Sequence, residues 1–180
     1  MAPAAILLAA LLGAPAAHGQ AGGPAPPVSR SLVVTDVELV DDHGNPLTKT
    51  AQEARQRDAA AQLRRQLAER RLYRVVDAAP SHALQERLRS GQEFLYRCDD
   101  CAAQIGAQLG VDLVLMPWVQ KVSELILNLN VKIYDVRAGK VVLVKSVDMR
   151  GNQDESWRRA VHYLVRDMAE KRERDPRYGQ

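Results

Sequence analysis

The chain has little with which to do redox or metal chemistry. Its 180 residues include two cysteines and four histidines. The histidines, at 18, 43, 82 and 162, are scattered with no paired spacing. A structural zinc site needs four Cys or His ligands at recurring intervals, and the sequence does not supply them. Cys98 and Cys101 form a C-x-x-C, but Ala102 stands where covalent haem attachment needs histidine. Beyond the first residues, no segment is long and apolar enough to span a bilayer, so no membrane span is expected in the mature chain. No cysteine follows the N-terminal apolar run, so no lipoprotein anchor is expected there. No Gly-rich phosphate loop, nucleophile–base pair or metal cluster reaches motif strength. These gaps point to a protein that binds rather than catalyses, with no cofactor.

What is there fits one globular domain. The chain is 46% hydrophobic and 26% charged, enough for a real core. Its net charge of +3 comes from arginine, with Arg55, Arg57, Arg64, Arg65, Arg70, Arg71 and Arg74 in one segment. Glu53, Asp58 and Glu69 are interleaved with them, which reads as a solvated helix face, and no nucleic-acid partner is expected. Ala4 to Leu12 is an apolar run of signal-peptide length, followed by small residues suited to signal peptidase. Residues 1–19 are predicted to be a signal peptide cleaved after Gly19, although no Lys or Arg precedes the run. Residues 20–30 read as a disordered Gly/Pro-rich lead-in, 31–170 as the domain, and 171–180 as a charged tail. The expected compartment is the periplasm of a Gram-negative bacterium.

The pattern within 31–170 predicts an α/β (α+β) fold: a mixed sheet of about five strands, ending in a three-strand meander, with helices mainly on one face. Leu32 to Val40 is the first strand, with Asp36 and Glu38 sharing a face near solvent. Thr50 and Glu53 have capping-box spacing and open a helix to about Leu72. Tyr73 to Asp77 is a short strand reached by a β-α-β crossover. A short helix near His82 to Arg89 follows, then one over Ala102 to Leu109, closed by Gly110. The meander begins at Leu113, where Pro117 predicts a bulge or an edge. In its middle strand Leu125, Leu127, Leu129, Val131 and Ile133 alternate with Asn128, Asn130, Lys132 and Tyr134. Gly139 suits the second hairpin turn. The last helix, to about Glu170, carries an apolar stripe of Trp157, Val161, Leu164, Val165 and Met168, with His162 half-buried beside it.

The C-x-x-C has three readings. In an oxidising compartment Cys98 and Cys101 form a disulfide that pins the start of a helix. A C-x-x-C at a helix N-terminus is also where a thiolate is stabilised, which would make a thiol oxidoreductase. Asp99 and Asp100 oppose that by placing negative charge beside the sulfurs. The third reading is metal, with copper through Met116 or His82.

The order of elements resembles the α/β domain of periplasmic assembly and accessory proteins. Examples are the curli secretion lipoprotein, the TolB N-terminal domain and penicillin-binding-protein activator lipoproteins. The likeness rests on the Val75-Val76-Asp77 strand, the Leu109-Gly110-Val111-Asp112 helix end and the Asp135-Val136-x-x-Gly139 hairpin. Three runs resemble more closely an uncharacterised secreted proteobacterial family known only as a domain of unknown function. They are Cys98-x-x-Cys101, Trp118-Val119-Gln120-Lys121-Val122-Ser123-x-Leu125-Ile126-Leu127-Asn128, and Asp148-x-Arg150-Gly151-Asn152-x-Asp154-x-Ser156-Trp157. That resemblance implies an accessory role beside a quinoprotein dehydrogenase system, or in envelope assembly. A periplasmic protein partner is expected, with a small-ligand or metal carrier as the other alternative. The candidate binding surface is the polar side of the meander and the turn before the last helix. It comprises Gln120, Lys121, Ser123, Asn128, Asn130, Asp148, Arg150, Asn152 and Asp154. A purely structural role for the last group would have Arg150 and Asp154 pair and cap the turn.

Overall fold

The computed structural model describes residues 29–42 and 44–180. The expected signal peptide, most of the Gly/Pro-rich lead-in and His43 lie outside the described residues. In chain order the elements are β1 (Ser31–Val34), β2 (Glu38–Asp41), α1 (Lys49–Glu69), β3 (Arg74–Val76), α2 (His82–Arg89), α3 (Asp99–Leu109), β4 (Leu113–Lys121), β5 (Ile126–Asp135), β6 (Lys140–Arg150) and α4 (Asp154–Arg174). The strands form one open sheet in the order β3-β1-β4-β5-β6, with β2 pairing β4 beyond the end of β1. β1 is parallel to β3 and β4, while β4, β5 and β6 form the antiparallel meander. The fold is the expected single α/β domain.

The sixth strand arises because the first expected strand is broken in two. β1 pairs up to Val34↔Leu115, and β2 resumes at Glu38↔Trp118. Thr35, Asp36 and Val37 therefore lie opposite Met116 and Pro117, one residue in excess. Pro117 has no N–H to give a neighbour. The irregularity expected at Pro117 is carried by the strand beside it: Pro117 sits within β4 and pairs Val131 of β5 in register, and β4 is a central strand.

Two cores flank the sheet. Leu32, Val34, Leu113, Leu115, Val119, Leu127, Leu129, Val131 and Ile133 face the long helices α1 and α4. The alternation read in β5 thus sets which residues enter this core, except that Leu125 falls in the preceding turn and is 72% exposed. The opposite face packs Val33, Val114, Met116 and Tyr134 against Leu84, Cys101, Ala102 and Ile105 of the shorter α2 and α3. At α3 the backbone comes so close that a Cβ on Gly106 would lie 2.3 Å from Val136 Cγ2 and 3.1 Å from Val114 Cγ2. Ala normally gains about 1 kcal/mol over Gly inside a helix. Here Gly106→Ala is expected to lose about 1 kcal/mol net, because overpacking outweighs propensity. A urea midpoint at or above wild type would contradict this.

Several boundaries differ from the sequence reading. α1 starts at Lys49, and its N-cap Thr48 makes no side-chain cap bond, so the Thr50–Glu53 pair is not a capping box. Glu53 instead pairs with Lys49 one turn back. His162 is exposed, because it points away from the stripe that α4 buries. The tail expected at 171–180 is built into the fold. α4 continues to Arg174, and Arg172 donates to the carbonyls of Leu72 (3.1 Å) and Tyr178 (2.6 Å) and to the Tyr73 hydroxyl (2.8 Å). The Tyr73 hydroxyl in turn donates to the Gly179 carbonyl at 2.6 Å. Burial pushes the Tyr73 pKa up to about 12, so the hydroxyl remains a donor. Charge density marks this segment as a tail, but Arg172, the Tyr73 hydroxyl and the packing of Tyr178 on the core dock it.

Candidate functional site

Cross-strand register builds the polar surface. Trp118, Asn130 and Ser146 form one row across β4, β5 and β6, and Gln120, Asn128 and Asp148 form the next. A further row, Met116, Lys132 and Val144, borders α3. All point to the face opposite α1 and α4. α2 and α3 cover the β3-β1-β4 side and reach Tyr134 of β5 and Val141 of β6; beyond them the meander face is open, although Asn130 within it is buried. Gln120, Ser146 and Asp148 are exposed, and Val144 is 64% exposed. The polar groups are held by one another. Asn128 Nδ2 donates to Asp148, and Asn130 Nδ2 donates to the Asn128 carbonyl at 3.1 Å. Lys132 Nζ reaches Asp99 of α3 at 2.6 Å, tying the open face to the covered one.

An aromatic cluster borders these rows. Trp118 stacks on Tyr96, with centroids 4.2 Å apart and planes 6° from parallel. Phe94 lies against Tyr96 at 5.6 Å, and the Arg97 guanidinium sits 5.3 Å and 5.5 Å from the two ring centroids. The segment carrying Phe94 and Tyr96 is fixed at both ends. Glu38 of β2 accepts from the backbone N–H groups of Leu95 and Tyr96, each at 2.9 Å. Cys98 and Cys101 are joined, with Cα atoms 5.2 Å apart, and the Cys98 sulfur accepts from the Cys101 N–H at the start of α3. Cys101 is buried in the core behind α3. Phe94, Tyr96 and Glu38 were not foreseen as site residues. Their signal was faint: Glu38 was legible only as a strand carboxylate, and nothing in sequence placed 94–96 against Trp118.

The remaining candidates form a second group at the end of the sheet where β2 and β4 finish. Lys121 is buried and bridges Asp41 at 2.8 Å and Glu124 at 2.6 Å. Burial pulls the Lys121 pKa down, but the hydrogen bonds to Asp41 and Glu124 outweigh it and the net shift is upward. The hydrogen bond from Lys121, then that from Asn152, hold Glu124 below the usual carboxylate range. Asn152 is the hub: its Nδ2 donates to Glu124 at 2.8 Å, and its Oδ1 accepts from Trp157 Nε1 at 2.9 Å and Arg55 at 3.4 Å. Asp154 pairs with Arg55 at 2.7 Å, so the Arg150–Asp154 pairing is not the one made. Ser123 Oγ accepts from the Leu125 and Ile126 N–H groups and closes the hairpin. Arg150 is exposed and, with Ser146, Asp148, Ser156, Arg159 and Tyr163, lines a groove of about 690 Å³ between β6 and α4. The nine candidates therefore divide. Gln120, Asn128, Asn130 and Asp148 share the open face, with Asn130 buried in it; Lys121, Asn152 and Asp154 knit the ends of β2, β4, α1 and α4; Arg150 lines the groove at β6 with Asp148, and Ser123 stands apart. Among the described residues, no group of three or more His, Cys, Asp or Glu is placed to hold a metal, and no helix is long and apolar enough to cross a membrane.

The family model described as "Protein of unknown function (DUF2380)" matches residues 30–168. The chain belongs to this family. The three sequence runs above pointed to a family of unknown function, and the DUF2380 match agrees with them. No curated protein matches the chain. Among solved structures it is similar to the LpoB C-terminal domain from Salmonella enterica, with 15% identity, 68% of this chain and 84% of that one covered, and a TM-score of 0.50. For LpoB from E. coli the identity is 18%, with 84% of each chain covered and a TM-score of 0.50. TolB from Acinetobacter baumannii is 12% identical over 84% of this chain and 30% of that one, with a TM-score of 0.49. The LpoB likenesses show that this DUF2380 member shares its fold with that domain.

Proposed function

We propose that this DUF2380 protein is exported to the periplasm and serves there as a non-enzymatic accessory protein. It docks an envelope protein through the open face of β4, β5 and β6. The observation that carries the reading is the uncovered polar meander face, with Trp118 fixed at its border. Aromatic side chains are enriched in interface cores and among the residues that carry most of the binding energy. The Cys98–Cys101 bond fits an oxidising compartment. The apolar run at Ala4 to Leu12 supports export, and the fold shared with LpoB supports an envelope setting. A quinoprotein dehydrogenase or an envelope assembly would be the client.

The test is cross-linking in native periplasm followed by quantitative recovery. Asn128→Arg puts a long cation in the middle of the face and is expected to reduce recovery of a stoichiometric partner about thirtyfold, the size of a hot-spot loss. Arg166→Glu, on the outer side of α4, is expected to leave recovery unchanged. Equal recovery with both variants, or no stoichiometric partner with the wild type, would refute the reading.

A further inference from the structure

We propose that the end of the sheet where β1, β3 and β4 begin is a cationic platform that binds the anionic headgroups of a phospholipid bilayer. Several segments meet there. Arg74, the first residue of β3, aligns with Ser31 of β1, and Ser31 donates to Asp112, just before β4, at 2.8 Å and 2.7 Å. Arg30 pairs with Asp135 at the end of β5, opposite Lys140 of β6. Arg172 ties the last turns of α4 to the carbonyl of Leu72, between α1 and β3. Arg70, Arg71, Arg74, Arg137, Lys140 and Arg174 belong to these segments, and all are exposed. None of them makes an ion pair; among the described residues, apart from Arg172, only Arg57, Arg87 and Arg150 of the other cations lack one. The exposed acidic side chains of this end are Glu69, Glu173 and Asp175. Glu69 and Asp175 have arginine neighbours of their own, Arg65 and Arg177. Clusters of four to eight lysines and arginines are the usual footprint for anionic lipid.

Arg71 holds its charge there at a cost. Its φ is 54°, the only positive φ outside glycine among the described residues. It follows the C-cap Arg70 and completes a Schellman ending of α1. Its N–H donates to the Ala68 carbonyl at 2.9 Å, and the Leu72 N–H donates to the Leu67 carbonyl at 3.0 Å. Glycine takes this position without strain, and an arginine does not. Arg70, one residue earlier, already gives the helix end the cation that its dipole favours. A strained arginine with no acid beside it is explained by a partner outside the chain. The six cations are spread over the ends of α1, β3, β6 and α4 and the β5–β6 turn, which suits a surface of many phosphates better than one small anion. The chain also enters the fold at this end: residues 1–28, with the apolar run Ala4 to Leu12, lead to Ser29 and Arg30. In the export proposed above, on which this choice of partner rests, that run brings this end to the bilayer first.

The probe is vesicles of mixed phosphatidylglycerol and phosphatidylcholine, sedimented with the purified chain. Binding is expected at low salt, should fall as salt rises, and should be absent with phosphatidylcholine alone. Arg71→Gly should weaken binding about fivefold while raising the melting temperature of the free protein by about 3 °C. An arginine that served only the fold would not separate the two. Arg71→Gly/Arg74→Gln should weaken binding about thirtyfold, whereas Arg57→Gln/Arg87→Gln, which removes the same charge from other exposed positions, should change it less than about twofold. Equal sedimentation with neutral vesicles, equal losses in the two double variants, or unchanged binding by Arg71→Gly/Arg74→Gln would overturn the assignment. Retention on immobilised poly-L-glutamate with no binding to the vesicles would point to an acidic protein partner and overturn it too. Recovery of a partner through Asn128 and the presence of the chain in the periplasm are measured separately, so failure of the platform is distinct from failure of the docking face or of export.

Discussion

Trp157→Ala is expected to lower the unfolding free energy by about 3–5 kcal/mol, the usual cost of deleting a buried large aromatic. Trp157 is 3% exposed and belongs to the core that joins α4 to the sheet. Its indole N–H also donates to Asn152 Oδ1 at 2.9 Å. Asn152 is buried, its backbone N–H donates to the Glu124 carbonyl at 2.8 Å, and its side chain holds Glu124 as well. The substitution therefore opens a cavity and removes a buried donor at the junction of the β4–β5 hairpin with α4. Trp157→Phe separates the two effects. It keeps most of the apolar contact and loses only the N–H, so about 1–2 kcal/mol is expected. Urea unfolding followed by circular dichroism measures both variants. Equal losses would mean that the hydrogen bond dominates, and losses below about 1 kcal/mol for both would mean that the site collapses around the deletion.

Much of this architecture was legible in sequence because it depends on periodicity. Leu127, Leu129, Val131 and Ile133 alternate with polar residues, which fixed the inward face of β5 and with it the register of the meander. The stripe from Trp157 to Met168 announced α4 in the same way. Local periodicity does not report what a distant segment does. Whether a carboxylate at Glu38 meets water or two backbone N–H groups of residues 95 and 96 depends on a contact across 57 positions. The break between β1 and β2 is a similar case. Its cause, Pro117, is visible, but its effect lies on the neighbouring strand. Composition weighs charges equally, whereas the C-terminal segment is docked by Arg172 together with the Tyr73 hydroxyl bond to Gly179 and the packing of Tyr178 on the core.

The candidate site divides along the same line. Gln120, Asn128, Asn130 and Asp148 came together on one face because period two and antiparallel pairing place them so. Lys121, Asn152 and Asp154 were placed beside them only by proximity in sequence. They engage Asp41, Glu124, Arg55 and Trp157 in contacts that hold elements together.

The Cys98–Cys101 bond is expected to behave as a staple, and removing it should alter the docking face as well as stability. It closes a very short loop, for which chain entropy alone gives about 2 kcal/mol. Cys98→Ser/Cys101→Ala keeps an oxygen at the N-cap of α3 and a small apolar group in the core, so a loss of about 2 kcal/mol is expected. Asp99 and Asp100 follow Cys98 in the first turn of α3, where they favour the helix and disfavour a thiolate. The reduction potential should accordingly lie below about −300 mV, as for structural disulfides of secreted proteins. The same bond ends the segment that carries Phe94 and Tyr96, so reduction should loosen the stack on Trp118. The chain has two tryptophans, and in a Trp157→Phe background Trp118 is the only emitter. Its fluorescence should shift to the red and become more accessible to acrylamide when the bond is reduced, with a parallel fall in melting temperature. A potential nearer about −120 to −200 mV, with the melting temperature and Trp118 emission unchanged, would instead describe a pair built to exchange electrons. The binding role would then yield to a thiol oxidoreductase using Cys98 and Cys101.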